Sequence, residues 1–233
     1  MKRAVFAFAI VAALFTSCKT EKEKTTEEET VVTEEEMAMT DEKPDYAGFG
    51  MDEADLPEGL NVGDTAPNIT MTTDDNKKMK LADLYAEQPV VVIFYRAYWC
   101  PACEKHLSEF AEKAKDIEAK GVKLVAITPE TYDNVDKTKK GTGANFTIIS
   151  DTDGEIMKAF DVDYKVTESY QAMIGDKLNA SVAETNATGK AVLPVPATYI
   201  IDTNGKIVYR QFNPDYKQRA SVQEILDNVP ASN

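Results

Sequence analysis

Histidine is nearly absent: His106 is the only one among the 233 residues. A single imidazole excludes a multi-histidine metal site and argues against a Ser-His-Asp triad. Positive charge is also scarce, with 26 Lys and Arg against 40 Asp and Glu and a net charge of −14. A chain this acidic has no electrostatic footprint for nucleic acid, so no such partner is expected. Long apolar runs are missing as well. The longest, residues 4–15, is too short to span a membrane as a helix. Cysteine is rare, and the odd count of Cys18, Cys100 and Cys103 leaves one sulfur without an internal partner. What is present, 43% hydrophobic and 28% charged residues, is ordinary globular composition for one domain with added segments.

The chain divides into three kinds of sequence. Met1-Lys2-Arg3 ahead of the apolar run has the form of a secretory signal. The following Phe15-Thr16-Ser17-Cys18 resembles a bacterial lipobox, which implies a signal peptide over residues 1–17 and a lipid on Cys18. An ordinary secretory signal with a free Cys18 is the other reading. Lipidation settles the cysteine arithmetic, since it leaves Cys100 and Cys103 as a pair. The implied address is the bacterial cell envelope, where disulfides persist, with the membrane reached through the lipid anchor. Lys19 after the cysteine, in place of an aspartate, points to the outer rather than the inner membrane. Residues 19–58 then hold 15 acidic and 4 basic residues with few aromatics and no periodicity. Such a segment buries too little apolar surface to offset its ordering entropy, which predicts an acidic disordered tether over 18–58. An export or binding signal in this charge run is the functional alternative. Residues 59–233 carry only −5 and form the globular domain.

Within that domain strand and helix periods alternate. Residues 90–95 form a continuous β-branched and aromatic run, as expected of a strand buried on both faces. Residues 101–120 place Leu107, Phe110, Ala111, Ala114 and Ile117 on one helical face, with Gly121 after them. A second buried strand is expected over 122–127, helices over 131–139 and 154–160, and a strand over 146–149 between them. Residues 199–201 and 207–212 bracket Asp202-Thr203-Asn204-Gly205, a hairpin turn, and 220–229 closes as a helix. Alternating elements with one terminal hairpin predict an α/β fold, a central mixed sheet with helices on both faces.

The chemistry lies in Trp99-Cys100-Pro101-Ala102-Cys103, between a buried strand and a helix. Pro101 suits the first helical position, which puts Cys100 at the N-cap and Cys103 at the third position. Both sulfurs then face free backbone N–H groups and the positive end of the helix dipole, which favour a reactive thiolate. Two intervening residues also allow a disulfide, so the pair can cycle between dithiol and disulfide. A zinc site would need carboxylates to complete its ligands, and an inert disulfide across so short a loop stabilises little. An intact pair also argues against a redox-dead scaffold. No metal or other cofactor is expected. His106, one turn past Cys103, reads as a solvated helix residue rather than a base. Pro196 precedes a buried strand and must sit at its start, because central strands reject proline.

Several separated motifs carry a family resemblance. Gly63-Asp64-Thr65-Ala66-Pro67 with Leu81-Ala82-Asp83-Leu84 resembles the opening of the AhpC/TSA, or redoxin, group of thioredoxin-fold proteins. Phe94-Tyr95-Arg96 leading into the cysteine motif, then residues 193–202, then 213–219, resembles its peroxiredoxin-like branch. The resemblance covers residues 59–229. It implies a thioredoxin-like fold and thiol-dependent redox chemistry, with a thioredoxin-like protein as electron donor and a hydroperoxide or a protein disulfide as substrate. It also implies that Pro196 faces the cysteine pair and leaves backbone groups free for a substrate. Two positions depart from the pattern. Where peroxiredoxins carry Thr or Ser three residues before the peroxide-reactive cysteine, this chain has Cys100, and where they carry an arginine it has Pro196. Arg96 is then the candidate for the missing positive charge. Peroxidase and membrane-anchored thiol:disulfide oxidoreductase both fit, with Cys103 attacking in the first and the more exposed Cys100 in the second. Residues 161–193 form an insertion with Tyr164, Tyr170, Met173, Ile174 and Leu178, expected either to fold over an edge of the active-site face and restrict substrate size or to serve as a peripheral cover for a sheet edge.

Overall fold

A computed structural model describes residues 44–73 and 77–230. The expected signal peptide, Cys18 and residues 19–43 of the expected tether lie outside the described residues.

The central sheet has five strands in the order β5-β4-β3-β8-β9, built from β3 (Val90–Phe94), β4 (Lys123–Thr128), β5 (Thr147–Ser150), β8 (Ala197–Ile201) and β9 (Ile207–Phe212). β3 pairs parallel with β4 and β4 with β5, whereas β8 runs antiparallel to both β3 and β9. This is the mixed sheet that the alternating periods predict. The strand period of two divides β3 between two cores. Val91, Ile93 and Tyr95 face a layer with Leu107, Phe110 and Ile117 of α2 (Pro101–Glu118), Val135 of α3 (Tyr132–Thr142) and Ile225 of α7 (Val222–Asn228). Val90, Val92 and Phe94 face Leu81 and Leu84 of α1 (Leu81–Glu87) and Ile156 and Met157 of α4 (Glu155–Ala159). Helices therefore cover both faces.

The hairpin between β8 and β9 closes as its sequence requires. The Asp202 carboxylate accepts from the Asn204 and Lys206 amides, and Gly205 sits at φ +76°, with Tyr85 too close to admit a Cβ. Short pairs flank the main sheet: β1 (Thr70–Thr72) with β2 (Lys78–Lys80), and β6 (Asp163–Lys165) with β7 (Val192–Pro194). The insertion is largely helical, with α5 (Glu168–Leu178) and α6 (Val182–Thr185) between β6 and β7.

The domain starts earlier than composition places it. Residues 44–58, expected as tether, pack against the domain: a 3-10 turn spans Ala47–Phe49, Met51 is only 3% exposed, and Tyr46, Phe49 and Leu56 lie on the core. The Thr167 amide donates to Gly50 O, and Glu58 and Gly59 amides donate to Asp161. Acid-rich composition over forty residues masked four apolar anchors at its end.

Candidate active site

β3 ends at Phe94, and the chain crosses residues 95–99 before α2 begins at Pro101. Cys100 is the N-cap in extended conformation, and its sulfur accepts from the Cys103 amide at 3.2 Å. The two sulfurs are joined as a disulfide, with the Cα atoms 5.2 Å apart. Cys100 was expected to be the more exposed of the two. Both are instead fully buried, at 0% exposure.

Each sulfur has its own guanidinium. Arg96 Nη2 donates to Cys100 Sγ at 3.2 Å, and Arg219 Nη2 donates to Cys103 Sγ at 3.3 Å. Arg96 is not a solvated strand-end residue: it is 2% exposed, its Nη1 donates to the Tyr170 hydroxyl at 2.9 Å, and its guanidinium lies 3.6 Å from the Tyr216 ring centroid. Arg219 Nε donates to Tyr216 O at 2.6 Å, and the bond from Arg219 to Cys103 brings residues 216–219, after β9, back onto the start of α2. Burial, reinforced by repulsion from Arg96, pulls the Arg219 guanidinium down to about 9, still charged at neutral pH. A buried cation, Arg96, and a half-buried one, Arg219, on the two sulfurs favour whichever sulfur becomes anionic on reduction.

His106 corrects its expected role. It is 4% exposed rather than solvated, stacks edge-on with Phe110 at 4.9 Å, and its Nε2 lies 2.9 Å from Ala220 O. Burial, then the Arg219 charge, pushes its pKa down to about 4, so at neutral pH the ring is uncharged and Nε2–H donates. This bond ties α2 to Ala220, the chain neighbour of Arg219. The loop 95–99 is pinned from the other side. Trp99 Nε1 donates to Thr185 Oγ1 at 3.2 Å, and the Tyr98 amide donates to Glu130 Oε2 at 2.9 Å. Burial raises the Glu130 pKa to about 8, which keeps this acid mostly protonated at neutral pH.

Pro196 is buried one residue before Ala197, which pairs with Phe94. The register thus sets Pro196 at the sheet end from which the cysteine loop leaves. The insertion also reaches the site, through Tyr170 on Arg96 and Thr185 on Trp99, as expected of a segment over the active-site face. Cys18 lies outside the described residues. As site residues the sequence reading missed Arg219 and Tyr216, and it named Tyr170 only as an apolar residue of the insertion. Arg219 and Tyr216 stand in a quoted family motif, yet only the return of residues 216–219 to α2, a long-range event, shows what they touch. Beside α2 a cleft of about 640 Å³ is lined by Arg96, Pro101 and Ala102, by α5, and by Ala47 and Gly48 of the 3-10 turn.

The model of the AhpC/TSA family matches residues 62–210, which include both site cysteines, Arg96 and Pro196 but stop before Arg219. A putative peroxiredoxin of Mycobacterium tuberculosis is 29% identical over 155 residues, 66% of this chain and 86% of that protein. The thiol-disulfide oxidoreductase ResA of Bacillus subtilis is 26% identical over 152 residues, 65% of this chain and 67% of that protein. Among solved structures, a peroxiredoxin-like protein from Aquifex aeolicus matches with a TM-score of 0.55 at 21% identity, covering 74% of this chain and 87% of that one. At that identity the likeness is one of fold, and the thioredoxin-like α/β architecture expected from the sequence is borne out.

Proposed function

From the premise that this chain belongs to the AhpC/TSA family, we propose that it is a thiol-dependent antioxidant oxidoreductase of peroxiredoxin-like type, reducing hydroperoxides through a Cys100/Cys103 dithiol–disulfide cycle. The observation that carries this reading is the cysteine pair at the start of α2 with a guanidinium donating to each sulfur. In the reduced pair one thiolate attacks the distal oxygen of ROOH. An S–O bond forms as the O–O bond breaks, and ROH leaves with a proton, leaving a sulfenic acid. The other thiol attacks the sulfenic sulfur, releases water and closes the disulfide. A thioredoxin-like dithiol then reduces the disulfide, so two electrons pass from donor to peroxide in each cycle. Arg96 and Arg219 stabilise the thiolate before attack and the charge developing on the leaving oxygen during it.

A second reading, a thiol:disulfide oxidoreductase acting on envelope protein disulfides, draws support from the similarity to ResA and from Pro196 at the cysteine end of the sheet. One titration separates the two. Reduced protein exposed to a limiting hydroperoxide should lose two thiols for each peroxide consumed. Thiols that survive peroxide but are consumed by a disulfide-bonded protein would overturn the first reading in favour of the second. We also propose that Cys18 carries a lipid that holds the protein at a membrane of the bacterial envelope, the outer one by the Lys19 argument; the support is the sequence of residues 1–19.

A further inference from the structure

The oxidised site gathers two positive charges around neutral acceptors. Arg96 donates to the Tyr170 hydroxyl and to Cys100 Sγ, and Arg219 donates to Tyr216 O and to Cys103 Sγ. None of these acceptors is charged while the cysteines form a disulfide, and among the described residues neither guanidinium is in an ion pair. One donor on each is unspent: Arg96 Nε and Arg219 Nη1 are buried without a hydrogen-bond partner. The two cations also repel each other, and burial first and Arg96 second lower the Arg219 pKa. Buried charge without a counter-ion is costly, and reduction relieves that cost by putting a thiolate where a guanidinium already points. The Cys103 amide, donating to Cys100 Sγ, adds to the same preference. A reduced form stabilised in this way makes the disulfide a strong oxidant.

We propose that the oxidised pair passes its disulfide to dithiols of unfolded proteins, which makes the chain a peroxide-driven protein dithiol oxidase. The inference rests on the peroxidase reading and names a source of electrons beside the thioredoxin-like donor. A substrate thiolate attacks one sulfur of the pair. An S–S bond forms as the Cys100–Cys103 bond breaks, and the other sulfur leaves as a thiolate held by its guanidinium. The substrate's second thiol loses its proton, attacks the mixed disulfide, closes the substrate disulfide and frees the reduced pair. A hydroperoxide re-oxidises that pair as above, so the sum is ROOH plus a protein dithiol giving ROH, water and a protein disulfide. Burial selects the substrate. Both sulfurs are fully covered, and a thiol on an extended segment needs a smaller opening in that cover than one set in a folded donor.

The test has two arms on the full-length protein, with a synthetic peptide carrying two cysteines as the dithiol. In the first, without peroxide, oxidised protein is mixed with an equimolar amount of reduced peptide at pH 7. Nearly complete transfer of the disulfide to the peptide is expected. Against glutathione, Arg96→Met and Arg219→Met should each lower the equilibrium constant for reduction about tenfold, roughly 30 mV of potential. Arg219→Lys keeps the charge and should recover most of that loss, which a purely structural role of Arg219 would not predict. Arg219 lies half-buried on the loop after β9, so its variants report even where Arg96→Met does not fold. A pair that leaves the peptide reduced, or Met variants as oxidising as the parent, overturns the proposal. In the second arm, a catalytic amount of protein is combined with excess peptide and a hydroperoxide. Peptide disulfide should form over many turnovers, faster than with peroxide alone, and not in the double variant Cys100→Ser/Cys103→Ser. If the first arm succeeds and peroxide does not re-oxidise the reduced pair, the oxidising pair stands and the peroxidase reading falls. If peroxide is consumed with a thioredoxin-like donor but not with the peptide, the peroxidase reading stands and this proposal falls.

Discussion

Arg96 and Arg219, from two loops, each place a guanidinium on one sulfur of the cysteine pair. Neither guanidinium distinguishes the cysteines, because each sulfur receives one donor at nearly the same distance. Equal burial also removes the solvent argument for Cys100 as the attacking sulfur. The Cys103 amide, which donates to Cys100 Sγ, favours a thiolate on Cys100, whereas the proposed peroxidase reading puts peroxide attack on Cys103. Cys100→Ser is therefore expected to form a sulfenic acid on Cys103 when treated with peroxide, detected by mass spectrometry. Its absence, together with mixed disulfides accumulating on Cys100 of Cys103→Ser, would assign attack to Cys100. Glu130 allows a prediction on stability. Burial raises its pKa from 4.5 to about 8, so the folded protein holds a proton that the unfolded chain releases above pH 4.5. Stability from this group is full below pH 4.5 and is lost as pH rises to 8, by up to roughly 5 kcal/mol. Glu130→Gln keeps an acceptor for the Tyr98 amide and abolishes that titration. Thermal melting should show the variant gaining on the parent from pH 5 to pH 8, whereas a constant difference across that range would refute it.

Elements with strong periodicity were legible in the sequence. The runs at 90–95 and 101–120 became β3 and α2 within two residues at each end, because two-sided burial and a helical stripe leave no other packing. Gly121, at φ +72°, follows α2 as its position suggests. The three-residue strands β6 and β7 were not legible, since neither is long enough to show a period and each exists only through the other. The same limit hid the segment 44–58. Its apolar anchors are spaced irregularly, and their partners lie more than a hundred residues away: the Tyr164 hydroxyl donates to Phe49 O, and Phe49 stacks edge-on with Tyr216. Through Tyr170 and Tyr216 this segment bears on the side chains that hold Arg96. Gly50 makes the dependence testable. It has φ +82°, and a Cβ there would lie 2.5 Å from the Tyr170 ring. Gly50→Ala should therefore lower stability by about 1–3 kcal/mol and speed alkylation of the reduced cysteines as Tyr170 loosens from Arg96. A variant that melts with the parent and alkylates no faster would show that the segment leaves the site untouched.

At the scale of the whole molecule, the acidic run splits at the domain boundary: residues 19–43 hold ten acidic and four basic residues, and residues 44–58, packed on the domain, hold five acidic and no basic ones. Because the packed domain begins near residue 44 rather than 59, the stretch between Cys18 and it is shorter than composition implied. Residues 19–43, fully extended at about 3.5 Å each, reach at most about 90 Å, which bounds how far an anchored domain can stand from the membrane. No helix among the described residues is long and apolar enough to cross a bilayer; the proposed attachment is through a lipid at Cys18. A lipid anchor adds binding in proportion to its buried CH₂ groups, and one chain alone holds only weakly. Stable anchoring thus requires the multiple acyl chains of a lipidated N-terminal cysteine, with no help from so acidic a protein at an anionic surface. Cys18→Ala should therefore move the protein from the membrane fraction to the soluble fraction almost completely, while peroxide-dependent thiol loss at Cys100 and Cys103 is unchanged. Fractionation followed by thiol titration of the released protein checks both halves. A Cys18→Ala protein that still sediments with membranes would mean that something other than the lipid holds it there.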